Sequence, residues 1–371
     1  MNKRDPVLRI GIVTLLLALV WRMLGAPLTA EQWRSLDVPL WQARVLLPGR
    51  MERIWSLWCG GLNVQELSGG SQQAARPDEE VTLLGAQARQ PVMLQVWNDQ
   101  TGQLESMELE RYVYGVVAAE MPAAYHTEAL KAQAVAARTR ALYQQAGEGC
   151  ALAAGADVCT RSGHCQGFAG EESLAQKWGN EYALYQQRVV EAVSGTAGQI
   201  VTWEGKPILV MYHAISGGRT ENVQAVFAQP LPYLVSVESG GEEGVRGYRE
   251  DAFYSFDEAA GLLAAAFPEL SITPQELQRT LTVAAHTATG RVDSLLLCGG
   301  EVKATDFRAA LGLRSTLFTL TMDQTGITFH QTGYGHGVGM SQAGANRMAA
   351  DGADYQAILN HYYPGTALEH W

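Results

Sequence analysis

Between Leu109 and Val117 the apolar residues fall at Leu109, Tyr112, Val113, Val116 and Val117. This is the i, i+3, i+4, i+7 spacing of a helix with one buried stripe. Glu120 continues that stripe by one turn, and Met121-Pro122 predicts the end of the helix, because a residue before proline is driven out of the helical region. A second helix is predicted from Thr127 or Glu128 to Gln145, rich enough in alanine for neighbouring backbone to approach closely. Around this pair the periods are mixed. Val92–Trp97 and the NDQTG turn after it read as strands, as do Gln199–Val210 with a break at Glu204-Gly205-Lys206-Pro207, Val283–Ala288 and Arg291–Leu297. Glu171–Gly195, Ser255–Phe267, Pro274–Leu281, Lys303–Leu311 and Gln342–Ala350 read as helices, the last with Ser341 as its N-cap. Strands and helices interleave without βαβ repetition, which predicts an α+β fold.

Before this domain the pattern changes twice. Lys3 and Arg4 precede an apolar run over Ile10–Trp21, which reaches spanning length only if Arg9 and Arg22 snorkel at its ends. GAPLTA lacks the small residues of a cleavage site, so the expectation is an uncleaved single anchor over 1–27, the bulk of the chain being extracytoplasmic because the basic residues come first. Residues 28–80 hold Trp33, Trp41, Trp55 and Trp58 in a juxtamembrane segment, then SGGSQQAARPDEE, the composition of a flexible linker. The main domain is expected to begin at Val81 and run to Trp371.

The net charge of −11 over 371 residues, with no basic run, excludes nucleic acid as the expected partner. Three local patterns carry candidate chemistry. The first is Glu120, an acid at the end of an apolar face, where partial burial raises its proton affinity; Lys131 and Arg138, two turns apart on the next helix, share a face suited to an anionic group, and the competing reading makes Glu120 a helix-end carboxylate meeting a structural arginine and Lys131 and Arg138 a solvated face. The second is CALAAGADVCTRSGHC, whose Cys150, Cys159, His164 and Cys165 make a full tetrahedral set for a structural zinc. A Cys159–Cys165 disulfide that leaves Cys150 odd is the alternative outside the cytoplasm; Cys59 and Cys298 read as isolated small apolar residues, with a pairing between them as the alternative. The third comprises two glycine-dense loops, one holding His213 and Ser216 in YHAISGG, the other His336, Ser341 and Gln342 in GYGHGVGMSQ. Neither matches a dinucleotide fingerprint, a P-loop or a nucleophile elbow, and the second is expected to form a flexible wall of N–H groups around one imidazole.

AAEMP at Ala118–Pro122, EALKAQAVAARTRA at Glu128–Ala141, YHAISGG, LGLRSTLF at Leu311–Phe318, GYGHGVGMSQAGA at Gly333–Ala345 and HYYPGT at His361–Thr366 occur in that order, and together they resemble the SpoIID/LytB family over about Val81–Trp371. The resemblance implies a membrane-anchored lytic transglycosylase that cleaves peptide-stripped peptidoglycan strands between N-acetylmuramic acid and N-acetylglucosamine, in septal wall remodelling and engulfment during sporulation. It makes Glu120 the catalytic residue, gives ligand-binding roles to Lys131 and Arg138, and places zinc on Cys150, Cys159, His164 and Cys165, Cys150 standing where the family's first ligand can be histidine. His213, Ser216, His336, Ser341 and Gln342 are the further candidate substrate-binding residues. A SpoIIP-like amidase and a SpoIIM-like membrane protein are the implied partners. Because an ordinary glycosidase needs two carboxyls at a set separation and no convincing second acid stands in the sequence, a single acid/base is the expected mechanism. A non-catalytic glycan-binding amidase enhancer and a zinc hydrolase of peptide cross-links are the rival readings; the intact A-x-E-M-P segment argues against the first, and four ligands in one loop against the second.

Overall fold

The computed structural model describes residues 91–371 except Ala228. The expected anchor over 1–27, the segment and linker over 28–80, the domain start at Val81 and Cys59 lie outside the described residues, among which no helix is long and apolar enough to cross a membrane.

The fold is α+β. Strand β1 (Met93–Asn98) pairs antiparallel with β2 (Gln103–Glu108) and leads into α1 (Leu109–Glu120) and α2 (Thr127–Ala146). On its other side β1 runs parallel to β3 (Val158–Cys159), pairing Trp97 with Cys159. The helix expected over Glu171–Gly195 is interrupted: α3 (Glu171–Trp178) ends at Gly179, whose φ of 52° an L-residue seldom adopts, and α4 (Tyr182–Ser194) restarts after one 3-10 turn. Strand β4 (Gln199–Trp203) turns through Glu204 and Gly205, both at positive φ, into β5 (Lys206–Pro207), and Pro207 is tolerated because β5 is an edge strand. Next come β6 (Tyr212–His213), β7 (Gly218–Arg219), α5 (Val223–Phe227) and β8 (Glu238–Ser239).

A second lobe occupies the middle of the chain. Strand β9 (Arg249–Ser255), helices α6 (Phe256–Ala266) and α7 (Pro274–Thr280), strands β10 (Thr282–His286), β11 (Val292–Leu297) and β12 (Gly300–Lys303), helix α8 (Ala304–Leu311), and strands β13 (Phe318–Met322) and β14 (Gly326–Thr332) enclose a core of their own around Phe307, Phe318 and Phe329. The chain then returns to the first lobe with β15 (Met340–Ser341), α9 (Gln342–Ala350), α10 (Tyr355–Tyr362) and β16 (Ala367–His370). β15 lies parallel to β6 and β16 antiparallel to β4, so the C-terminal segment rejoins strands formed some 130 to 170 residues earlier.

Helix α2 is the centre of the first lobe. Elements α1, α4, β4, α9 and α10 all pack on it, and Ala129, Ala132, Ala134, Ala136, Ala137 and Ala141 are buried, their small side chains admitting neighbours on every side. That packing corrects the expectation for Arg138. Its guanidinium is fully buried, grips both oxygens of Glu110 on α1 at 2.7 and 2.6 Å, and donates to the carbonyls of Gln199 and Val193 at 3.0 and 3.3 Å. Arg138 therefore clamps three elements together and has no donor face open to a substrate anion. Lys131 does share its face, as the spacing predicts, but it is paired with Glu128 at 2.7 Å and lies over the Tyr355 ring, within the packing of α10.

Candidate active site

Glu120 is the last residue of α1, half-buried at the point where Met121 turns extended ahead of Pro122. Its Oε1 accepts the N–H of Gly167 at 2.5 Å. Burial raises its proton affinity above the ordinary carboxyl value, against the opposing pull of the Gly167 N–H, the Lys177 ammonium and the Gln342 amide. Lys177, on α3, donates to the carbonyls of Ala118 and Ala119 at 3.0 and 3.4 Å, the exposed negative end of α1. Its own pKa is lowered by burial, with Glu120 resisting that shift.

Tyr212 stands close enough for the Glu120 charge to add to the burial that raises its phenol, and its hydroxyl donates to Gln166 Oε1 at 2.9 Å. Gln342, at the start of α9, donates to Gln133 of α2 at 3.3 Å beside Glu120. Of the residues expected to bind substrate, Gln342 is the one that the structure brings to the acid. Gly167 and Lys177 belong to no motif, and Tyr212 and Gln133, though inside YHAISGG and EALKAQAVAARTRA, are not distinguished there as site residues; the four come from separate elements that only the fold brings together.

The remaining candidates sort differently. His213 is buried, its Nδ1 3.1 Å from the Val338 carbonyl and its Nε2 without a partner, and burial holds its pKa well below the ordinary value. His336 accepts the N–H of Val338 on Nδ1 at 3.0 Å, packs 5.7 Å from His213 and 5.8 Å from Phe227, and is pushed down to about 4, first by burial and then by nearby arginines. Both imidazoles are thus neutral near pH 7. Ser216 and Ser341 are fully buried with their hydroxyls on Glu242 at 2.9 and 2.8 Å, which removes them from any substrate surface. Nor is the glycine loop a flexible wall. A Cβ on Gly339 would sit 2.1 Å from the Met211 carbonyl oxygen and one on Gly335 2.6 Å from the His213 side chain, so these glycines let the loop close against the 211–216 segment.

The Cys/His loop is compact. Cys150, Cys159, His164 and Cys165 place their ligand atoms within 4.8 Å of one another, with His164 Nδ1 at 3.6, 3.5 and 3.3 Å from the three sulfurs. All three cysteines are free, without the Cys159–Cys165 disulfide. Burial raises the Cys150 thiol and pushes Cys165 up to about 12, so a nearby cation is what would hold them as thiolates. Cys298 is free. A cavity of about 320 Å³ opens elsewhere, among Glu221, Thr287, Arg291, Asp293 and Lys303. Its buried charges already have partners, Glu221 on Thr287 and the Asn222 N–H, Arg291 on Ser315 and the Ser216 carbonyl.

The family model for stage II sporulation protein (SpoIID) matches residues 97–203, the stretch from β1 to β4 that holds Glu120, α2 and the Cys/His loop. Across a longer span the chain is 34% identical to stage II sporulation protein D of Bacillus amyloliquefaciens, over 75% of this chain and 79% of the relative. It is 33% identical to that of Bacillus subtilis over the same shares. It is also 26% identical to a Bacillus subtilis protein named amidase enhancer, over 68% of this chain and 40% of that one. With the matched span running well beyond any one motif, the chain belongs to the stage II sporulation protein D (SpoIID) family.

Proposed function

We propose that the protein is a lytic transglycosylase acting on peptide-stripped peptidoglycan strands, with Glu120 as its single acid/base. One observation carries this reading: among the described residues, the groups that shift the Glu120 proton affinity are an amide N–H, an ammonium and a carboxamide, with no second carboxyl among them. A hydrolase that activates water needs such a partner; a lytic enzyme does not. Glu120 in its protonated form, which burial favours, gives its proton to the glycosidic oxygen as the bond to C1 of N-acetylmuramic acid breaks. The resulting carboxylate then takes the proton of that sugar's C6 hydroxyl, whose oxygen bonds to C1 as a 1,6-anhydro ring, and the acid is restored with no water consumed. Lys177 and Gln342 stabilise the carboxylate between the two transfers. Neutral His336 adds an aromatic face to the loop beyond Tyr212, in keeping with glycan binding nearby, while His213, buried together with its unpartnered Nε2, packs against it.

The Cys/His loop is assigned to a structural zinc. An imidazole nitrogen 3.3–3.6 Å from three sulfurs, with all four atoms within 4.8 Å of one another, suits a tetrahedron whose metal–ligand bonds are about 2.0–2.3 Å. Cys150, Cys159, His164 and Cys165 would fill it, leaving no position for substrate. Purified protein is expected to carry one zinc per chain by elemental mass spectrometry, and stripping it should lower the thermal midpoint. A disulfide among these cysteines, or a midpoint indifferent to chelation, would count against the assignment.

The relatives' names support a role in sporulation. The family resemblance further implies, as part of this proposal, an extracytoplasmic domain on an N-terminal single-pass anchor in the septal space, with a SpoIIP-like amidase and a SpoIIM-like membrane protein as partners. The name of the amidase enhancer relative supports a second reading, a glycan-binding module that stimulates an amidase without cleaving. Digestion of peptide-stripped strands followed by mass spectrometry separates the two. Anhydro-muramic ends are expected; strands that are bound but left uncut would hand the function to the second reading.

A further inference from the structure

The peptide segment that meets Glu120 is clamped on both sides. Upstream, Cys165 sits in the four-donor cluster and Gln166, almost fully buried, spans from the Ala137 carbonyl of α2 at 3.3 Å to the Tyr212 hydroxyl at 2.9 Å. Downstream, Phe168 stacks on Tyr112 with ring centroids 5.8 Å apart and planes 13° from parallel. That stacking is possible because residue 115 is glycine; a Cβ there would lie 2.2 Å from the Phe168 ring. The N–H of Ala169 closes the clamp on the Gly115 carbonyl at 3.1 Å. Between the clamps is Gly167, whose N–H points at Glu120 Oε1 and whose missing side chain leaves room for it: a Cβ would stand 2.8 Å from that oxygen and 3.3 Å from the carboxyl carbon.

A protonated carboxyl has one oxygen that donates and one that accepts. An oxygen already receiving an N–H at 2.5 Å is the acceptor, so the proton belongs on the other. We propose that Gly167 is a positioning residue for the acid, its N–H fixing Oε1 as acceptor and so assigning the transferable proton to Oε2, with the Cys150/Cys159/His164/Cys165 cluster as the mount that holds this N–H in place. The inference rests on the assignment of Glu120 as the acid, and it gives the cluster a task in the reaction beyond stability: the mount lies two residues from the group that orients the proton.

The test uses full-length protein labelled with ¹³C at the glutamate carboxyl, the Glu120 signal being identified by its absence in Glu120→Gln. In Gly167→Ala the methyl group displaces the carboxyl from its donor, and the Glu120 titration midpoint is expected to rise by about one pH unit. On peptide-stripped strands kcat should fall at least about 10-fold with KM unchanged. Cys165→Ala is expected to raise the midpoint in the same direction and to speed hydrogen exchange at the Gly167 amide. Should Gly167→Ala fail to fold, Gln166→Ala loosens the same segment without adding an atom beside the acid, and the same rise is expected. An unchanged midpoint in the folded Gly167 or Gln166 variant overturns the positioning role; a rise there with none in Cys165→Ala overturns the mount. If the wild type cleaves no glycan, the proposed function fails, and the carboxyl titration still decides where Gly167 holds the proton.

Discussion

Glu120→Gln is expected to reduce glycan cleavage by about 10⁴-fold, the upper end for loss of a general acid, because in the proposed mechanism one residue serves both proton transfers. Glutamine keeps the shape and can still accept the Gly167 N–H, so strand binding should survive. The pH profile carries the sharper expectation. Since burial raises the folded pKa of Glu120, the protonated form persists to higher pH than for a free carboxyl, and kcat/KM should fall along a single alkaline limb as pH rises through that value. The same shift fixes a stability trend. An acid whose folded pKa is raised binds more protons folded than unfolded between the two values, so stability declines as pH climbs from the unfolded pKa to the folded one, and the deficit then stays constant. Glu120→Gln removes that deficit. Its denaturant midpoint near pH 7 should equal or exceed that of the wild type while its activity is gone. A variant that loses activity and stability together would make Glu120 a structural residue; anhydro ends produced by the glutamine variant would move the acid elsewhere.

The parts of this site that could be read from the sequence are those whose partners are close in the chain. The 3.6-residue period of Leu109–Val117 and the Met121-Pro122 stop predict α1 to its last residue, and that residue is the acid. Cys150, Cys159, His164 and Cys165 fall within one loop, so their meeting follows from chain length alone. Arg138 shows the opposite case. Its seven-residue spacing from Lys131 correctly places both on one face, but the identity of what covers that face is settled by Glu110 and by two carbonyls at residues 193 and 199. The same holds for the glycine loop, where density in glycine looks like openness to a ligand until the 211–216 segment is seen to press against it. Gly167 was illegible for a related reason: a backbone N–H has no sequence signature, and only the fold aims it at Glu120.

Glu242→Ala is expected to produce the largest loss of stability among the substitutions considered, about 3–5 kcal/mol by urea unfolding. Glu242 sits in VESGGEEGVRGY, a segment with no candidate residue at the level of sequence; in the fold it is fully buried. One carboxyl oxygen accepts the hydroxyls of Ser216, Ser239 and Ser341 at 2.9, 2.6 and 2.8 Å. The other accepts the N–H groups of Ser216 and Gly217 at 2.7 and 3.3 Å. The network extends through Ser239 to the Tyr362 hydroxyl at 2.7 Å, so one side chain gathers the YHAISGG segment, β8, the N-cap of α9 and α10. Alanine leaves these donors facing a cavity, and a partner-deprived buried donor is costly where a deleted pair would not be. Glu242→Gln separates hydrogen bonding from volume. It fills the same space but turns one acceptor into a donor. If that donor replaces the oxygen facing the Ser216 and Gly217 N–H groups, donors meet donors that cannot rotate away; if it replaces the oxygen facing the hydroxyls, those can turn. The glutamine variant is therefore expected to lose less than alanine, about 1–3 kcal/mol. Because α9 carries Gln342 to the acid, a folded Glu242→Gln protein should keep its glycan KM and lose a modest part of kcat. A loss under about 1 kcal/mol for Glu242→Ala would mean that water replaces the carboxyl, and that the segments converging on it are held by apolar packing alone.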